Sequence, residues 1–132
     1  MKSRWLVMLA LAAASGAASA DWTLVGSTDG RGGVDHYFDR ATISKSGNTV
    51  TQWVLEDHKV AQSFAGKTFL SAKFQEEYDC KDNQRRTLQS MLYSGQKATG
   101  SMVQAGPKPR PWRPVTAGTV GETMWKLACG KK

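Results

Sequence analysis

Only two cysteines, two histidines and four prolines occur among the 132 residues. No serine sits in a G-x-S-x-G elbow, and no glycine run has the Walker spacing. With two histidines there is little choice of a general base. An enzyme is therefore not expected, and neither a cofactor nor a catalytic residue is assigned. Beyond residue 20, no stretch approaches the ~18 apolar residues that a membrane-spanning helix needs. Acidic residues are also scarce: 11 Asp and Glu face 18 Lys and Arg, a formal charge of +7.

What is present begins with an export segment. Lys2 and Arg4 form a positive start, Trp5 to Ala14 is apolar, and Ala18-Ser19-Ala20 is an A-x-A cleavage site. Residues 1–20 are read as a signal peptide, and 21–132 as one domain beginning at Asp21. Losing Lys2 and Arg4 lowers the formal charge from +7 to +5. The residue after the cut is Asp21 rather than cysteine, so no lipid anchor is expected. The destination is periplasmic, secreted or at the cell surface. A basic domain there meets lipid head groups, polysaccharides or acidic protein faces, and not nucleic acid. In an oxidising compartment, Cys80 and Cys129 are expected to pair, the alternative being two free buried thiols. A closed loop of about 50 residues removes unfolded-state entropy worth about 4 kcal/mol.

The mature chain reads mainly as β-structure. Trp22–Val25 and Val34–Phe38 are strands around the glycine-rich turn 26–33. Thr49–Leu55 is a third, with neither face cleanly polar. In Phe69–Cys80 the residues Leu70, Ala72, Phe74, Tyr78 and Cys80 share one face, interrupted only by Glu76. That period of two predicts a strand with one wet face and puts Cys80 on the apolar side. Lys81-Asp82-Asn83 is a turn, and Gln84–Ser94 returns as a strand with Leu88 and Leu92 in phase. Short strands with short turns predict an antiparallel meander. Thr119-Val120-Gly121-Glu122 fits a capping box, which opens a helix. Val120, Met124, Leu127 and Ala128 form its apolar stripe, Trp125 flanks it, and Gly130 stops it. A disulfide from Cys129 to the Cys80 strand would pin that helix to the sheet.

Every proline lies in 106–114, Gly-Pro-Lys-Pro-Arg-Pro-Trp-Arg-Pro. Proline cannot donate to a ladder, so this is an extended connector at an edge or on the surface. It carries Lys108, Arg110, Trp112 and Arg113, the candidate ligand-binding residues. Proline pre-orders them, and Arg and Trp dominate interface energetics. The alternative turns Trp112 inward as core and leaves the charges solvated. Arg85 and Arg86 are expected on opposite faces of their strand. Asp35-His36 with Asp39, and Glu56-Asp57-His58, are the His–carboxylate clusters. Neighbours in a strand point apart, so no metal is assigned to them. Asp39 is read as closing the turn before Thr42.

In order along the chain stand Asp21-Trp22, Tyr37-Phe38-Asp39, Ile43-Ser44-Lys45-Ser46-Gly47, Trp53-Val54 and Cys80. Arg85-Arg86-Thr87-Leu88, Tyr93-Ser94, Trp112 to Thr119 and Glu122 to Cys129 follow. This ordered set resembles the surface-adhesin protein E family of bacterial exported proteins. The resemblance implies a curved antiparallel sheet of about six strands with a C-terminal helix held by a Cys80–Cys129 disulfide. It also implies an adhesive role towards host and matrix proteins. The function expected is a non-catalytic binding module for a protein or an anionic polymer. The runner-up is an accessory or inhibitor protein of the envelope.

Overall fold

The computed structural model describes residues 21–131, and the export segment expected at 1–20 lies outside the described residues. The strands are β1 (Trp22–Thr28), β2 (Val34–Asp39), β3 (Ser44–Ser46), β4 (Thr49–Phe64) and β5 (Lys67–Asp79). After them come β6 (Gln84–Tyr93), β7 (Met102–Gly106) and β8 (Arg113–Pro114), then the helix α1 (Val120–Cys129). All pair antiparallel in one sheet, in the order β1-β2-β4-β5-β6-β7. The short strands β3 and β8 pair with β4 and β6. The expected path of six strands is thus present, with two short additions.

The turns follow from local chemistry. Asp39 Oδ1 accepts from the Ala41 backbone N–H at 3.1 Å, and the Thr42 hydroxyl donates to Asp39 O at 2.7 Å, so Asp39 closes the turn as expected. Ala65 and Gly66 form a two-residue hairpin loop between β4 and β5, with φ of 50° and 76°. This pair of positive values matches the twist of the flanking strands. Asp79 Oδ1 accepts from Lys81 N and Asp82 N, each at 3.0 Å, and bends the chain into β6.

Two of the four register shifts in the sheet lie in its central ladders, β4–β5 and β5–β6. Gln75 pairs with Gln89, whereas the next residue, Glu76, pairs with Thr87. Leu88 is the extra residue of a bulge and pairs with no residue of β5. A bulge shifts the phase by one. Thr87 and Arg85 thereby turn to the same face as Glu76 and Tyr78. The second irregularity lies in β4, between Asp57 and Gln62.

β4 looked ambiguous because both its faces are covered. Val50, Gln52 and Val54 are buried towards α1, and Leu55 is buried on the other side. On that other side the turn Gln96–Ala98 docks. Lys97 N donates to Asp57 Oδ1 at 2.9 Å, Ala98 N donates to Ser71 Oγ at 2.8 Å, and Ser71 Oγ donates to Gly95 O at 2.6 Å. The main core lies between the sheet and α1. It joins Phe38, Val50, Val54 and Tyr78 to Met124, Trp125 and Ala128.

α1 begins at Thr119, whose hydroxyl accepts from Glu122 N at 3.2 Å. Glu122 Oε1 reaches back to accept from Gly118 N at 3.4 Å. Gly130 ends the helix with φ of 66°. The buried stripe is rotated from the expected one. Trp125 is core, and Leu127 is 43% exposed. Two anchors set this phase. Trp125 Nε1 donates to Asp79 O at 2.9 Å, and Cys129 is joined to Cys80 with a Cα–Cα distance of 5.6 Å.

Candidate functional site

The helix covers only one end of its sheet face. Beside it, the sheet and the first turn of α1 enclose a cavity of about 160 Å³. Its lining combines apolar Val54, Phe74 and Met124 with charged Glu76, Arg85 and Arg113, and includes His36 and Glu56. The register explains why these residues converge. Glu76 pairs with Thr87, and Arg85 pairs with Arg113, all on strands that share this face because of the Leu88 bulge. His36 pairs with Glu56 in the β2–β4 ladder.

Glu76 is 4% exposed. Its Oε1 accepts from the Thr87 hydroxyl at 2.6 Å, while its buried Oε2 has no partner. Burial raises the Glu76 pKa above its ordinary value, opposed by the Thr87 hydrogen bond and by Arg85 and Arg113. Gln52, directly opposite Glu76 in the β4–β5 ladder, donates from Nε2 to the Tyr78 hydroxyl at 3.3 Å, and its Oε1 is also unpartnered. Burial pushes the Tyr78 phenol up strongly, so it stays neutral. Burial lowers the His36 pKa against the pull of Glu56 and Asp35. A Cβ on Gly121 would stand 2.9 Å from Arg85 Cζ, so a bare helix backbone is what lets that guanidinium lie against α1.

The connector residues fall into three places. The chain after β7 stays along the edge of β6, where Arg110 N donates to Thr87 O at 2.8 Å. Lys108 and Arg110 are exposed. Arg110 borders a second hollow of about 250 Å³, lined also by Phe64, Phe69, Phe74 and Leu92. Arg113, in β8, borders the charged cavity instead. Trp112 is half-buried and belongs to neither the core cluster nor the cavity. The Arg86 guanidinium lies 4.5 Å from its ring centre, and Arg86 Nε also meets Glu77 Oε1 at 2.7 Å. Arg85 and Arg86 therefore divide between the two faces, as expected. Nothing in its spacing marks Glu76 as functional. Its one signal was a carboxylate interrupting an otherwise apolar face.

The His–carboxylate clusters separate. Asp35 Oδ1 accepts from the Ser27 hydroxyl at 2.6 Å, and Asp39 is occupied in its turn. His36 Nε2 lies 3.0 Å from the Thr28 hydroxyl. His58 is buried against Phe69, edge to face at 5.6 Å, and its Nε2 is 3.8 Å from Glu56. Among the described residues, no group of three or more His, Cys, Asp or Glu is arranged to hold a metal ion.

The family model described as Surface-adhesin protein E matches residues 22–130. The chain belongs to that family. Its fold is similar to that of Haemophilus influenzae protein E. Crystal form II of that protein superposes with a TM-score of 0.60 at 12% identity, over 72% of this chain and 80% of that one. Protein E from non-typeable Haemophilus influenzae gives a TM-score of 0.51 at 14% identity, over 74% and 70% of the two chains. No curated protein sequence matches this one significantly. The family places the chain among adhesin-like surface proteins. Among the described residues, no helix is long and apolar enough to cross a membrane.

Proposed function

We propose that this protein is an exported, non-catalytic binding module, processed after Ala20, that holds an acidic protein surface or an anionic polymer through its basic connector. Lys108, Arg110 and Arg113 make the contact, with Trp112 beside them. The observation that carries this reading is the tethering of the connector. The Arg110 N–H bond to Thr87 O and the pairing of Arg113 with Arg85 fix an extended, proline-bearing segment along β6. Its cations thus stand in one arrangement before any partner arrives, which lowers the ordering cost of binding. The mature domain is basic, which favours an anionic partner.

The test is retention on immobilised matrix protein and on a heparin-like polymer. Replacing Lys108, Arg110 and Arg113 together with Ala should weaken retention. The salt dependence of what remains should flatten, since screening acts on exposed charges over a Debye length of about 8 Å. Retention unaltered in the triple variant moves the site elsewhere on the sheet. A wild-type chain that retains no such ligand removes the adhesive reading and leaves an envelope accessory protein in its place.

A further inference from the structure

The cavity under α1 presents three observations that go beyond the connector contact. Arg85 and Arg113 stand directly opposite each other, and neither makes an ion pair among the described residues. Like charges facing across a ladder are destabilising, so the pair is held at a cost that an anion would remove. Glu76 Oε2 is buried, unpartnered and belongs to a residue lining the same cavity. Val54, Phe74 and Met124 add apolar surface to the lining of the same cavity.

We propose that this cavity is a binding site for a small amphipathic carboxylate, such as an aromatic acid. The carboxylate lies between the Arg85 and Arg113 guanidinium groups, which suit it geometrically because their N–H donors match its two oxygens. The apolar part rests against Phe74, Val54 and Met124. The volume of about 160 Å³ is comparable with a cavity of about 150 Å³ that holds benzene. Glu76 contributes as the neutral acid. Neutral, it adds no negative charge to repel the ligand carboxylate. The groups facing it are His36 from β2, Glu56 from β4, Tyr78 from β5, Arg85 from β6 and Arg113 from β8. α1 adds Val120, Gly121 and Met124, none of which titrates. A cation fits less well, because it would meet two arginines.

The site shares Arg113 with the polymer contact and differs from it in Arg85 and Glu76, which lie outside the connector. The same chemistry is offered by a free acid or by the aromatic C-terminus of a peptide. The probes are therefore benzoate, benzyl alcohol and a short peptide ending in Phe, titrated into the mature chain and followed by NMR of backbone and arginine Nε–H groups. Benzoate should saturate with shifts at Arg85, Arg113 and Gly121, and benzyl alcohol should bind at least tenfold more weakly. Arg85→Met keeps the aliphatic stem and should weaken benzoate at least tenfold. Wild-type affinity should fall as pH rises and Glu76 ionises, and Glu76→Gln should remove that dependence. Binding of the peptide alone keeps the carboxylate site and assigns it to a chain terminus. Equal binding of benzoate and benzyl alcohol, or unchanged affinity in Arg85→Met, overturns the proposal. The comparison of the two small probes needs no variant to fold.

Discussion

Arg85 and Arg113 face each other across the β6–β8 ladder, two guanidinium-bearing side chains at one register position. The Leu88 bulge turns Arg85 to this face, and the edge strand β8 brings Arg113 opposite it. An acid lining the same cavity, Glu76, is one that burial pushes towards neutrality. Arg113→Gln should therefore be neutral or stabilising by about 0.2–1 kcal/mol at low salt. Added salt should shrink the difference. Thermal melts across a salt series check this. A loss of several degrees at low salt would mean that Arg113 is held by a partner the geometry does not reveal.

The Cys80–Cys129 bond ties the end of the helix to the turn that follows β5. The purified chain should show no alkylatable thiol and should yield one cross-linked peptide without reductant. Cys129→Ala should cost roughly 2–5 kcal/mol. Denaturant midpoints, with and without reductant, measure that loss.

Helix phase gives a third expectation. Met124 is buried against the sheet, whereas Leu127 is 43% exposed. Met124→Ala should cost about 2–5 kcal/mol, and Leu127→Ala should stay within about 0.5 kcal/mol. Equal losses at both positions would place the stripe where its spacing alone puts it.

Acid and base should act on opposite groups. His58 is buried, and burial lowers its pKa below the ordinary 6.5. The unfolded chain then takes up the proton first, so stability is lost as pH falls below 6.5 towards the folded-state value. Glu76 is raised above its ordinary 4.5. Its contribution is fully present below 4.5 and is lost as pH rises through the folded-state value. Glu76→Gln keeps an acceptor for Thr87 and should stabilise by on the order of 1 kcal/mol at high pH. It should bring no gain in acid. His58→Phe should flatten the acid limb. Melting temperatures of the two variants across pH separate the effects, and parallel curves for wild type and Glu76→Gln would count against a buried acid.

Much of the fold was legible because its cues are local. The alternation in Phe69–Cys80, the capping box at Thr119 and the Asp39 turn each depend on residues within a few positions. The proline stretch was legible as an extended segment for the same reason. The cavity was not, because it depends on a phase slip. Leu88 carries no mark of a bulge, yet it decides that Thr87 and Arg85 meet Glu76. β4 offered no clean polarity because both of its sides are covered, one by α1 and one by the turn Gln96–Ala98. Helix phase failed by one position because the spacing could not register the Trp125–Asp79 hydrogen bond. Trp112 fits either core or anchor by residue type alone, and its stacking with Arg86 depends on which strand edge the connector follows.

The link between Cys80 and Cys129 spans 49 positions and encloses the whole proline-bearing connector. A protease that cuts among its exposed residues therefore makes two pieces that stay covalently one molecule. The nicked chain should run as a single band until it is reduced. Because the packing of α1 on the sheet is untouched by such a cut, the severed protein should also keep its helix in place. The exposed segment of the molecule can be lost as an intact strand without the loss of the body that carries it.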